Sequence, residues 1–170
     1  MERLELAHDA VHEQASLRHV LGAFATGVTV VTAGGDLAHG MTANSFTAVS
    51  LDPPLILVCV GRNALMHDVL DRQTTFAVSI LAADQTEVAR YFSDKRRPIG
   101  PKQFDAVSWF PGAHSGAPLI DGALAHLECE LDHSHEAGDH TIYIGRLLSL
   151  WRRSGADALL FLNGQFLSTA

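Results

Sequence analysis

Apolar residues near the start of the chain recur at helical spacing, at Val11, Ala15, Val20, Leu21 and Phe24. The polar positions between them predict an amphipathic helix with one solvated face. At Gly27 the pattern changes. The β-branched run 28–32 reads as a strand, Gly34-Gly35-Asp36 as a hairpin turn, and residues 37–47 as the returning strand. Asp52-Pro53-Pro54 interrupts any ladder, because neither proline can donate a hydrogen bond. The apolar run 55–60 predicts a short strand buried on both faces, and residues 63–70 a helix. Residues 74–80 form another strand. Residues 83–92 read as a third helix, with Asp84 as N-cap and Glu87 three residues on.

Regularity stops between residues 93 and 118, where prolines and glycines are interleaved with Phe104, Trp109 and Phe110. A loop of this length in a compact domain has a function or is mobile, and its aromatics predict partial packing onto the body. Residues 119–131 and 141–151 read as long strands joined by a turn at Gly138-Asp139. Residues 158–166 read as a last strand pair turning at Asn163-Gly164. Strands outnumber helices, so the predicted class is mainly β: a β-barrel with added helices, one domain over residues 1–170. No Gly-x-Gly-x-x-Gly follows a strand, which leaves a doubly wound dinucleotide-binding sheet unsupported.

Composition narrows the function classes. With 47% hydrophobic and 18% charged residues the chain is globular. No apolar run reaches the ~20 residues that span a bilayer, and the N-terminus lacks the basic start and apolar core of a secretory signal. The expected location is the cytoplasm, without membrane partners. A formal net charge of −7 argues against nucleic acid, which needs clustered cations. Arg90, Lys95, Arg96 and Arg97 are a local exception, readable as a solvated loop or as a site for a phosphorylated small ligand. Cys59 and Cys129 each sit in an apolar run without CxxC spacing and read as reduced thiols.

Two short segments hold candidate chemistry. Thr42, Ala43, Asn44 and Ser45, with Ser50, place small polar side chains on a strand. They either face solvent or line a ligand wall that offers donors to a planar heterocycle. Gly138-Asp139-His140 is a common hairpin turn; it is also a histidine held at a strand start, with a ring free to donate to a carboxamide or phosphate. His133 and His135 share a strand face near Glu136, Asp139 and His140, but no spacing fixes a third ligand, and His8 and His12 lie near a terminus; no metal is expected. There is no nucleophile elbow, and Ser45 has no oxyanion motif beside it.

Six segments in order carry a resemblance: FATGVTVVT, GMTANSFTAVSLDPPLILVCV, FAVSILAADQTEVARYFS, GAPLIDGALAHLECEL, GDHTIYIGRLLSL and LLFLNGQF. Together they resemble the short flavin reductase family, the reductase components of two-component flavin-dependent monooxygenases, over residues 17–166. The resemblance implies an FMN-binding split β-barrel, a homodimer, and a flavin near the subunit interface. It places Thr42, Ala43, Asn44, Ser45 and Ser50 along the flavin ring and ribityl chain, and Asn63 and Ala64 near the phosphate. Phe92, Ser93 and a basic residue of 95–97, taken as Arg96, fall in the other matching segment. Gly138, Asp139 and His140 match a motif associated with the nicotinamide cofactor, with His140 as the catalytic-site residue. One departure is Asn163-Gly164, where the family often has Arg-Gly.

The resemblance therefore implies hydride transfer from NADH to FMN or FAD, and delivery of reduced flavin to a partner monooxygenase. The cofactors supply the chemistry, in keeping with the lack of an acid–base pair. No arginine pair beside Gly138 awaits a 2′-phosphate, which favours NADH and leaves NADPH open. Rival readings are an oxidase or oxygenase acting on an organic substrate, a non-catalytic flavin-binding module, and a metal protein built on the His133 cluster.

Overall fold

The computed structural model describes residues 11–169. Its centre is a seven-stranded antiparallel sheet. The strands are β2 (Thr29–Ala33), β3 (His39–Ala43), β4 (Phe46–Leu51), β5 (Pro54–Gly61), β6 (Thr75–Ile80), β9 (Ala125–Ala137) and β10 (His140–Arg152). They lie in the order β3-β2-β6-β9-β10-β5-β4. The two outermost strands, β3 and β4, are consecutive in the chain and joined only by Asn44 and Ser45. A flat sheet would hold its edges apart, so this one curls until they meet at that corner. The edges meet but do not pair, and the barrel is split there. Ser45 pins the corner to β5, its hydroxyl donating to Cys59 O at 2.8 Å.

Short elements close the ends. Strand β1 (Thr26–Gly27) joins β11 (Leu159–Leu162) and β12 (Gln165–Ser168) in a small sheet, while β7 (Trp109–Pro111) pairs with β8 (Pro118–Ile120). Helices α2 (Leu65–Leu70) and α3 (Thr86–Ser93) lie in connections between strands, and α1 (Gln14–Gly22) precedes β1. One core cluster fills the barrel around Val31, Val58, Val60, Met66, Phe76 and Tyr143. A second packs α3 and the segment after it onto the sheet through Val28, Val30, Phe92, Phe104 and Ile120.

Several sequence expectations change. The strand predicted over 37–47 breaks at Asn44, because the barrel has to turn its corner there. Strand β5 is not buried on both faces: Ile56, Val58 and Val60 point into the core, while Leu55, Leu57 and Cys59 are half covered. Helix α3 starts later than predicted, with Gln85 rather than Asp84 at the cap and no side-chain cap; Gln85 instead donates to Asp121 O and accepts from the Ala82 N–H. The strand predicted over 119–131 is two strands, parted by a turn before β9. Helix α1 buries no residue against its own chain: Val20 and Leu21 are 69% and 70% exposed, and Phe24 just beyond the helix is 77% exposed. Residues 93–118 are irregular over more than half their length, but hold a 3-10 helix at Gly100–Ala106 and the short strand β7, with Phe104 packed between Phe92 and Trp109. The Asn163-Gly164 turn is a hairpin, both residues having positive φ, 49° and 78°, as a tight two-residue loop requires.

Candidate active site

A cavity of about 400 Å³ opens where β3, the residues leading into α2, and the end of α3 converge. Thr42, Asn63, Ala64, Phe92 and Ser93 line it, so five sequence-predicted residues from three distant segments share one wall. His39, Met41, Lys95, Arg97 and Ile99 are among the other residues that line it.

Strand β3 forms the floor. It is the last strand of the sheet, so the edge away from β2 has no strand partner. Gly40 turns its N–H and carbonyl toward that edge, where the N–H donates to Gln103 Oε1 at 2.9 Å and the carbonyl accepts from Arg97. Backbone alternation puts the Thr42 N–H on the same edge, within the cavity. Gly40 also has to be glycine: a Cβ there would lie 2.6 Å from a ring carbon of Phe92. Its absence lets α3 press onto the strand, and the Thr42 hydroxyl donating to Ala89 O at 2.7 Å ties helix to floor.

Arg97 is half-buried, with its guanidinium carbon 5.8 Å from the Phe92 ring centroid, and it donates to the Asp94 carbonyl at 2.8 Å. His39 is buried with both ring nitrogens facing N–H donors, Arg97 Nη2 at 3.2 Å and Gln103 Nε2 at 3.1 Å. The neutral ring can accept at only one of its nitrogens, and a proton added there would turn onto an N–H donor. Burial first, and then the Arg97 charge, hold the His39 pKa at about 4. Lys95 lines the cavity and has no hydrogen bond or ion pair among the described residues.

The other predicted residues sit elsewhere. Ala43 is buried in the core, and the Asn44 amide donates to Thr26 Oγ1 at 3.2 Å. Ser45 both donates to and accepts from the Cys59 backbone. Ser50 accepts from the Asp52 N–H on β4. Arg96 turns outward onto Asp94, at 2.9 Å, and takes no part in the cavity; Lys95 and Arg97 are the basic residues that do. Sequence reasoning missed His39 and Gln103, neither of which carries a motif.

Gly138, Asp139 and His140 form the tip of the β9–β10 hairpin. Gly138 has φ 63°, a conformation glycine adopts without strain. His140 pairs with Gly61 in the β5–β10 register, and a Cβ on Gly61 would lie 3.7 Å from its Nε2. The Asp139 carbonyl accepts from the Arg62 N–H at 2.9 Å. The tip therefore abuts the segment that delivers Asn63 and Ala64 to the cavity. His140 Nδ1 lies 2.7 Å from the Asp139 carboxylate, which can only accept and so fixes the tautomer. Arg62, 3.7 Å from Glu136, is a further cation at this end that the sequence pattern did not single out.

A second cavity, about 480 Å³, lies between Phe110, His126, Glu128 and Trp151, and holds none of the predicted residues. Its carboxylate is already satisfied. Burial would raise the Glu128 pKa, but the Ser115 N–H, the Ser115 and Ser149 hydroxyls and the His114 N–H hold it down at about 2. Among the described residues no group of three His, Cys, Asp or Glu side chains is placed to hold a metal; His133 meets His135 edge-on, with centroids 5.0 Å apart, and bonds Asp132 at 2.6 Å.

Comparison with known proteins places this arrangement. Residues 21–170 match the model of the flavin reductase like domain. The chain belongs to that family. An NADH-dependent FAD reductase of Streptomyces globisporus is 53% identical over 154 residues, spanning 91% of this chain and 85% of the relative. The flavin reductase component of a bacterial two-component tryptophan halogenase, BorF, superposes with a TM-score of 0.89 at 54% identity, covering 92% of this chain and 98% of that one. The Streptomyces globisporus NADH:FAD oxidoreductase SgcE6, solved in complex with NAD and FAD fragments, superposes with a TM-score of 0.89 at 50% identity and 94% coverage of both chains. The split-barrel reading of the strand order agrees with these neighbours.

Proposed function

We propose that this chain is an NADH-dependent flavin reductase that supplies reduced FMN or FAD to a partner flavin-dependent monooxygenase or halogenase. The observation that carries the reading is the cavity on the free edge of β3, with the nicotinamide-associated Gly138-Asp139-His140 turn beside it. A flavin, when bound, accepts the hydride of NADH and carries its two electrons away. The cavity suits such a ligand. The Thr42 N–H and the Asn63 amide offer hydrogen bonds, Phe92 and Ile99 give apolar walls, and the Lys95 ammonium is free for a phosphate. Ala43, Asn44 and Ser45 continue the floor toward the barrel corner. His140 holds the nicotinamide nucleotide at the hairpin tip.

A homodimer completes the site in this reading. Leu55, Leu57, Cys59 and Ile142 form a half-covered apolar strip on the outside of β5 and β10. Leu51, 94% exposed, continues it at the end of β4, and α1 presents exposed apolar residues of its own. Surface of this kind favours a partner subunit over water. No helix among the described residues is long and apolar enough to cross a membrane. Both thiols are free, which supports a cytoplasmic location.

The test is NADH consumption by the purified protein in air, with FMN, FAD or riboflavin added in turn. Oxidation that scales with added flavin is expected, and the ranking of the three identifies the preferred flavin. If flavin binds but neither NADH nor NADPH is oxidised with any of them, the reductase reading is lost and a binding module takes its place.

A further inference from the structure

Gln103 lies in the 3-10 turn, is completely buried, and has every polar atom of its amide engaged. Its Oε1 accepts from the Gly40 N–H at 2.9 Å and from Arg97 Nε at 3.4 Å. Its Nε2 lies 2.8 Å from Gly100 O, 3.2 Å from Ala38 O and 3.1 Å from His39 Nδ1. Its backbone carbonyl accepts the Tyr91 hydroxyl at 2.7 Å. One amide thus joins the open edge of β3, the guanidinium of Arg97 and its own turn. The segment between α3 and Gln103, which carries Lys95, Arg97 and Ile99 into the cavity, is held to the barrel at this point. Arg97 has already committed donors to Gly40 O, Asp94 O and Gln103, which makes it part of the clamp. Lys95 is the cation left over.

We propose that Gln103 is a positioning residue for flavin recognition: by fixing this segment against β3 it holds Lys95 where a flavin phosphate lies, and so sets the preference for phosphorylated flavin over riboflavin. The proposal rests on the reductase reading above. Gln103 touches no ligand; it acts through the wall that it anchors.

Binding measured by quenching of flavin fluorescence, without NADH, tests this separately from turnover. Gln103→Leu keeps the volume and removes the hydrogen bonds. It is expected to raise the Kd for FMN about tenfold, the order expected for one charge-assisted contact, while the Kd for riboflavin moves less than twofold and the far-UV circular dichroism is unchanged. Lys95→Met should give the same selective weakening, and the double variant should be no weaker than either single one. Equal weakening toward both flavins, an unchanged Kd for FMN, or losses that multiply in the double variant would each overturn the proposal. Should Gln103→Leu not fold, Gln103→Glu, which keeps the acceptor for Gly40 and Arg97 and loses both donors, is read the same way. Wild-type protein that binds flavin but fails to oxidise NADH would count against the reductase reading and leave the role of Gln103 decided by the binding data.

Discussion

At the scale of single residues, the site is decided by which polar groups are already occupied. Thr42, Ser45 and Ser50 look alike in sequence, yet their hydroxyls go to Ala89 O, to the Cys59 backbone and to the Asp52 N–H respectively. Small polar residues were legible as a wall; their partners were not, because those lie 14 to 47 positions away along the chain or in a bend. His140 is different, since its neighbour Asp139 is its partner and the motif could be read locally. The Asp139 carboxylate accepts a hydrogen bond from Nδ1–H, and Nε2 faces Gly61. His140→Ala is therefore expected to raise KM for NADH about tenfold while kcat falls less than threefold, the pattern of a group that binds without reacting. Steady-state kinetics at saturating flavin checks this, and an unchanged KM would remove His140 from the nicotinamide site.

At the scale of elements, the mainly β character and the hairpins at Gly34-Gly35-Asp36 and Asn163-Gly164 were written in local chemistry and could be read directly. Two features were not. The corner at Asn44-Ser45 continues the small polar pattern of β3 and carries no glycine or proline, so nothing local announces it; only the curl of the whole sheet requires it. Strand β5 reads as doubly buried because its outer face is apolar too, a face that its own chain only half covers. Gln103 was hidden for a related reason, since a glutamine among prolines and glycines reads as solvated until the turn folds against β3. The contact between β3 and α3 gives a sharper test. At Gly40 a methyl group would meet the Phe92 ring at 2.6 Å, and Phe92 is itself wedged against Phe104 at a centroid distance of 5.6 Å. The ring cannot retreat, so Gly40→Ala should cost about 1–3 kcal/mol through overpacking and weaken every flavin alike by shifting the cavity floor. Urea unfolding together with flavin titration measures both effects. A variant of wild-type stability would mean that α3 moves freely on the strand.

For the whole molecule, two buried titratable groups, His39 on β3 and Glu128 on β9, should set its tolerance of acid. His39 stays neutral in the folded chain down to about pH 4, whereas an unfolded chain protonates it near its ordinary value of 6.5. Below that value the unfolded state binds more protons, and stability falls as the pH drops from 6.5 toward 4. Glu128 continues the fall. Its hydrogen bonds keep it ionised to about pH 2, against an ordinary 4.5, so its contribution is present above 4.5 and lost between 4.5 and 2. The His39 limb amounts to on the order of 2 kcal/mol after allowance for solvent screening. Urea midpoints measured from pH 7.5 to 3.5 should therefore be flat above about 6.5 and decline below it. His39→Gln should flatten the upper limb alone, because it removes the proton-linked group and leaves Glu128 in place. Glu128→Gln should do the reverse. If the decline between pH 6.5 and 4 survives in His39→Gln, the upper limb belongs to other groups and the reading of His39 as a neutral, donor-enclosed ring is wrong. Because the same ring contacts Arg97 and Gln103 and stays neutral in the folded chain until about pH 4, the cavity wall should hold until then, and flavin affinity should fall at a lower pH than the urea midpoint does.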